Sequence, residues 1–237
     1  MKIHRFYVGG IHDKAGPLEL DQKIWVNEEA LFNQWVRVLR FRVGDQLVLF
    51  NDDEERLYKI ANIEQPHSVR LELITEQTRK LPKKHVYLMW SLLKKDNNDL
   101  VLQKGTELGV RNFVPIIADR SVKTGFDPDR ARKIMIEAAE QCGRADIPAI
   151  REPISIDEAI NEYKDLPLLV CEQGEQKQSL SKLDKMGVLI GPEGGWSNRE
   201  SELFKQNNLA FIDIADFTLR AETAAVVATT HVLNNLD

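Results

Sequence analysis

Apolar and charged residues alternate with period two over residues 69–74, and two more short apolar runs occupy 46–50 and 57–63. Polar turns separate them, Val43-Gly44-Asp45 before the first run and 51–55 after it. Short runs bounded in this way predict the strands of a compact barrel or sandwich. One helix is expected to interrupt them over 27–38, with Asn27 as N-cap and Glu28 and Glu29 in the first turn. The polar stretch 75–84 then predicts a domain boundary, with one domain over 1–75 and a second over 80–237.

Beyond that stretch the period changes repeatedly. Strands are predicted over 85–93, 112–118, 166–171, 188–190 and 211–214. Helices are predicted over 97–108, stopped by Gly109, and over 129–142, started by Asp127-Pro128 and ended by Gly143. Ser155-x-x-Glu158 and Ser197-x-x-Glu200 have the form of capping boxes, and a last helix runs over 221–233. Repeated strand–helix units predict an α/β domain with a parallel sheet covered by helices.

Hydrophobic residues make up 43% and charged residues 29%, the balance of an ordinary globular chain. No apolar run approaches the roughly 20 residues that cross a bilayer, so no membrane partner is expected. The first ten residues lack the apolar centre of a secretory leader, and a cytoplasmic location is the expectation. Cys142 and Cys171 form no C-x-x-C pair, which predicts two plain thiols and no metal site. The net charge of -5 is unevenly spread. Residues 78–133 hold 13 Lys/Arg against 6 Asp/Glu, a basic island in an acidic chain. It is either a solvated face or the footprint of a polyanion.

Four segments could carry chemistry. Gly191-Pro192-Glu193-Gly194-Gly195 follows one predicted strand and precedes a capped helix. In a parallel sheet that is a carboxyl strand end, where ligands bind. The segment is neither a P-loop nor G-x-G-x-x-G, and by itself it is equally an ordinary tight turn. Leu219-Arg220-Ala221-Glu222-Thr223-Ala224 opens the last helix. Glu222 there suits the helix dipole and Arg220 opposes it, which points to a specific partner for the arginine. Glu140-Gln141-Cys142-Gly143-Arg144 ends the helix over 129–142, and Thr106-Glu107-Leu108-Gly109-Val110 ends the one before it.

Together, and in this order, these four segments resemble the 16S ribosomal RNA (uridine-N3) methyltransferase family of the SPOUT, or trefoil-knot, superfamily. Val36-Arg37-Val38-Leu39-Arg40 with Val43-Gly44-Asp45 resembles the signature of that family's N-terminal domain. The resemblance implies a PUA-like RNA-binding β-barrel followed by a SPOUT α/β domain with a C-terminal trefoil knot, a rare exception to unknotted topology. It implies S-adenosyl-L-methionine in the knot, held by three loops. Here those would contribute Val170 and Glu172; Ile190, Gly191, Glu193, Gly194 and Gly195; and Ile214 and Leu219, with Thr223 and Ala224 just beyond. The loop 191–195 is expected to approach the cofactor through backbone groups, which leaves side chains at its glycines no room. It also implies a homodimer acting on 16S rRNA in the small ribosomal subunit.

Within that frame Arg220 is expected to stabilise a developing uracil anion, and Glu222 to orient it or accept the proton. Gln141 and Arg144 are expected to hold the base or a phosphate. Arg37, Arg40 and Arg42, with Lys83, Lys84, Lys94 and Lys95, are the expected phosphate contacts. The chain departs from the family pattern at one turn. Ala215-Asp216-Phe217 stands where the family has a Gly-x-Arg type turn, and Phe217 is expected to stack on adenine or fill the space left. The competing readings are a SPOUT enzyme acting on another RNA and a non-catalytic RNA-binding or ribosome-assembly protein. A nucleotide-binding α/β enzyme is disfavoured by the lack of any phosphate loop.

Overall fold

A computed structural model of the chain describes residues 3–10, 18–122, 125–174 and 184–235, the side chains of Lys95 and Asn235 excepted. The chain divides into two compact units. Met1–Leu81 and Ala139–Asp146 form the first, and Pro82–Ala138 and Ile147–Asp237 the second.

The first unit contains β1 (His4–Tyr7), β2 (Lys23–Val26), helix α1 (Glu29–Phe32), β3 (Gln46–Phe50), β4 (Glu55–Glu64) and β5 (Ser68–Glu76). The strands form one sheet in the order β1-β3-β4-β5-β2, parallel only between β1 and β3. Inward residues of alternate strand positions, Leu47, Leu49, Tyr58, Ile60, Val69 and Leu71, close a core with Phe32 and Trp35. The helix differs from its expected form. Glu28, not Asn27, is the N-cap, and the Asn27 side chain instead accepts from Ser68 Oγ at 2.7 Å. After one α turn the chain widens into a π-helix over Asn33–Val38, closed by the Leu39 N–H on the Gln34 carbonyl at 2.9 Å. This winding buries Trp35 and leaves Arg37 and Val38 outside. Such π turns recur at functional sites.

The second unit alternates strand and helix. Its elements are β6 (His85–Ser91), α2 (Lys95–Leu108), β7 (Asn112–Ile117), α3 (Pro128–Cys142), β8 (Ala149–Ile150), β9 (Ile154–Ser155), α4 (Ile156–Glu162), β10 (Leu168–Cys171), β11 (Lys185–Ile190), α5 (Asn198–Gln206), β12 (Ala210–Ile212) and α6 (Ala221–Asn235). The last turn of α3 groups with the first unit. The sheet order is β12-β10-β11-β6-β7-β8, with β9 also on β7, and every pairing is parallel.

Strands covered on both faces need apolar residues at successive positions, which is why residues 86–90 of β6 and 186–190 of β11 are continuous runs without a charged side chain. Leu88, Trp90, Val188 and Ile190 enter one core with residues of α2, α3 and α6. Met89 and Leu189 enter the opposite core with residues of α4 and α5. On α6 the residues Ala221, Ala225, Ala228 and Val232 share that first core, and their small side chains let the helix lie close on β6 and β11. Both capping boxes form as expected, at Ser155 with Glu158 and at Ser197 with Glu200. Gly109 and Gly143 take left-handed φ of 99° and 86° where α2 and α3 end.

Candidate active site

The carboxyl ends of β10, β11 and β12 lie side by side, and the three loops that leave them enclose a cavity of about 860 Å³. Glu172 and Gln173 line it after β10, Gly191, Pro192, Glu193, Gly195 and Trp196 after β11, and Asp213 through Ala215 and Phe217 through Arg220 after β12. The start of α6 adds Ala221, Glu222 and Ala224, and Lys94, Asn97 and Arg120 complete the lining. That is the place and the size of a small-molecule site in an open parallel sheet.

Cross-links hold the loops to one another. Thr218 Oγ1 donates to Gln173 Oε1 at 2.7 Å, and the Gly174 N–H donates to Asp213 Oδ2 at 2.9 Å. The loop after β11 is fastened to the end of β7. Arg120 Nη1 donates to the Gly194 carbonyl at 2.9 Å and to the Trp196 carbonyl at 3.0 Å. Its neighbour Asp119 accepts from Ser197 Oγ and from Nε and Nη2 of Arg199, whose Nη1 reaches on to Asp157. The Arg199 guanidinium and the Ser197 hydroxyl hold the Asp119 carboxyl below its ordinary range. Fully buried Glu200 accepts from the Asp119 N–H at 2.9 Å as well as from the Ser197 N–H at 2.7 Å.

Within the protein itself the three glycines of this loop differ in the room beside them. A Cβ at Gly191 would lie 3.2 Å from the Trp196 ring, tighter than an ordinary contact, so a side chain there would require the indole to shift. At Gly194 a Cβ would meet Arg120 at an ordinary 3.4 Å. At Gly195 the space is open and the constraint is conformational, a φ of +67°. Gly194 is held through its carbonyl but does not line the cavity, Val170 is fully buried in the core, and Thr223 faces solvent. The remaining expected cofactor contacts, Glu172, Ile190, Gly191, Glu193, Gly195, Ile214, Leu219 and Ala224, all line the cavity.

Arg220 and Glu222 line it too. The Arg220 guanidinium is exposed and makes no ion pair among the described residues, and Glu222 Oε2 is buried without a hydrogen-bond partner. Gln141 and Arg144 do not line it and belong to the first unit. There Arg144, nearly buried, forms a two-pronged pair with Asp146, and its carbonyl accepts from Arg5 Nη2 at 3.1 Å. Cys171 lines the cavity with its thiol pushed up to about 12 by burial, so it offers no thiolate nucleophile. Phe217 lines the cavity and is 82% exposed.

Arg120 and Lys94 are cavity residues that motif reading did not assign there. Arg120 lies in the loop that leaves the carboxyl end of the parallel strand β7, the position where the strand-end rule would have looked. Of the expected RNA contacts, Arg37, Arg40, Arg42, Lys83 and Lys94 are exposed, and Arg40 sits at a left-handed φ of 58°. Lys84 donates to the Leu233 carbonyl at 2.6 Å and so caps α6. The Lys95 side chain lies outside the described residues. Among the described residues no group of three or more His, Cys, Asp or Glu side chains could hold a metal. No described helix is long and apolar enough to cross a membrane.

Comparison with known proteins assigns this arrangement to a class. A family profile for an RNA methyltransferase domain matches residues 79–233, and one for the PUA domain of RNA methyltransferases matches residues 36–74. The protein is thus a methyltransferase of the class that carries a PUA domain before its catalytic domain. A ribosomal RNA small subunit methyltransferase E from Rickettsia conorii is 31% identical, covering 98% of this chain and 96% of that protein. Within its class, the chain belongs to the ribosomal RNA small subunit methyltransferase E family. The fold agrees. The family's enzyme from Neisseria gonorrhoeae, solved bound to S-adenosyl methionine, superposes with a TM-score of 0.83 at 24% identity over 98% of each chain. A Legionella pneumophila methyltransferase solved with bound SAM gives 0.82 at 25% identity over 100% of this chain and 99% of that one. The architecture is a PUA-like β-barrel followed by a SPOUT α/β domain with its knotted C-terminal segment.

Proposed function

We propose that this protein transfers a methyl group from S-adenosyl-L-methionine to N3 of a uridine in 16S ribosomal RNA of the small ribosomal subunit. The observation that carries the reading is the loop cavity of a methyltransferase domain with an arginine and a carboxylate on its wall that find no partner among the described residues. The cavity fits the cofactor by size and by charge. Glu172, Glu193, Asp213 and Glu222 all line it, and the ligand carries a cationic sulfur and an ammonium group. When bound, S-adenosylmethionine supplies a methyl carbon made electrophilic by that sulfur.

The chain's own residues then have two tasks. Uracil N3 carries a proton and is a poor nucleophile until the proton leaves. Glu222 accepts it through Oε2, the buried oxygen with no other partner. The negative charge left on the uracil is stabilised by Arg220, whose guanidinium has no competing carboxylate among the described residues. Arg37, Arg40 and Arg42 on the PUA domain, with Lys83 and Lys94, hold phosphates. Lys84 is spent on α6, and Arg144 on Asp146. Gln141, exposed, remains available to the RNA. The protein acts as a homodimer in the cytoplasm, where its substrate is assembled.

Nucleoside mass spectrometry of 16S rRNA tests the reading. Cells lacking the gene lose one 3-methyluridine, and restoring the gene restores it. Retention of the full complement of 3-methyluridine would overturn the assignment.

A further inference from the structure

Among the large hydrophobic side chains of the described residues, Phe217 is the most exposed, at 82%. A benzyl group left in water contributes nothing to folding, since its apolar area stays hydrated. Nor is it carried on a loose segment. The loop is fixed on one side by Asp213, which accepts from the Gly174 and Ala215 N–H groups, and on the other by Thr218 on Gln173. The ring lines the active-site cavity with most of its surface open, which places it at the opening. The cations Lys94 and Arg220 line the same cavity and make no ion pair among the described residues.

We infer that Phe217 is the stacking platform that receives the unstacked target pyrimidine of the RNA. The inference rests on the proposed RNA methyltransfer and deepens it. A base whose N3 is to react must leave its helix, and the stacking it loses must be replaced at the enzyme. An aromatic face beside unpaired cations is the chemistry that holds single-stranded bases and their phosphates. An adenine slot needs walls on most sides. A ring with over four-fifths of its surface open has no such walls, so the base of a macromolecule suits it better than the cofactor.

The test uses full-length protein and small ribosomal subunits from cells lacking the gene. In Phe217→Ala the KM for subunits rises by about ten- to a hundredfold, the range expected for loss of one base–aromatic stack. Phe217→Trp stays near wild type, because the platform is kept. S-adenosylmethionine affinity by calorimetry and sedimentation mass are unchanged in both, and the exposed position leaves the thermal midpoint intact. An unchanged KM for subunits in Phe217→Ala would sink the inference. So would an equal fall in cofactor affinity, which would give the ring to adenine, or a loss of dimer mass, which would give it to a second copy. If the wild-type protein itself fails to methylate these subunits, the proposed function fails, and not the platform alone.

Discussion

Arg220 immediately precedes α6, where the aligned peptide dipoles already make the potential positive. A cation there costs about 0.3–1 kcal/mol at an exposed site. No described carboxylate offsets it, and Glu222, two residues on, leaves its own Oε2 unpaired. Both features disfavour the resting protein and suit an anion that exists only during reaction. Arg220→Ala is therefore expected to leave the thermal midpoint unchanged or slightly raised, with cofactor affinity intact. Methyl transfer in single-turnover assays should fall by about 10²–10³, the usual loss for one preorganised donor. Arg220→Lys should recover little, because a point charge does not reproduce the planar fork. A near-normal rate in Arg220→Ala would assign the residue a structural role.

At the scale of elements, the loop between β11 and α5 is positioned from a distance. Asp119 and Arg120, at the end of β7, hold residues 194–199 through side chains on both segments. Because its carboxyl lies below the ordinary range when folded, Asp119 stabilises the fold most above about pH 4. That contribution disappears as pH falls through its lowered folded value. Asp119→Asn removes the dependence, so its melting temperature should fall less steeply than that of wild type on acidification. Parallel melting curves for the two proteins would contradict the link. The sequence showed part of this machinery. Ser197-x-x-Glu200 announced the capping box because both partners lie within one turn, whereas the bond from Asp119 to Glu200 spans 81 positions and leaves no local pattern. Strands β1 and β2 escaped for a related reason. Each has four residues, and β1 owes its place to pairing with a distant strand, not to any alternation of its own. The helix over 27–38 was legible as a helix, but its π winding was not, since burial of Trp35 fixes it from across the core. The glycine-rich loop was legible because it follows a predicted strand and precedes a capped helix, and Arg220 because a cation opposes the dipole at a helix start.

Over the whole molecule the basic island of residues 78–133 is less of a free surface than its charge suggests. Arg79 donates to the Ala145 carbonyl, Lys84 caps α6, Lys104 pairs with Glu107, Arg111 donates to the Pro82 carbonyl, Arg120 holds the loop after β11 and Arg130 pairs with Asp99. Much of the excess positive charge is thus spent inside the fold. The arginines of the PUA domain are in the opposite situation. Arg37 leaves a π-helix, Arg40 stands at a left-handed φ, and Arg42 is placed by its own N–H on Asp45 Oδ2 at 2.7 Å. All three are exposed and make no ion pair among the described residues. The backbone is shaped to display them while Trp35 anchors the segment in the core. Charges displayed in this way release counterions when they meet phosphate, each contributing about 0.7–0.9 to the slope of log affinity against log salt. Replacing Arg37, Arg40 and Arg42 together with Gln should therefore reduce the magnitude of that slope by roughly two to three. Affinity for small ribosomal subunits should fall at low salt and converge with wild type at high salt. The same triple replacement should leave S-adenosylmethionine binding and the melting temperature where they are. A slope equal to wild type would move the phosphate contacts off the PUA surface and back to Lys83 and Lys94.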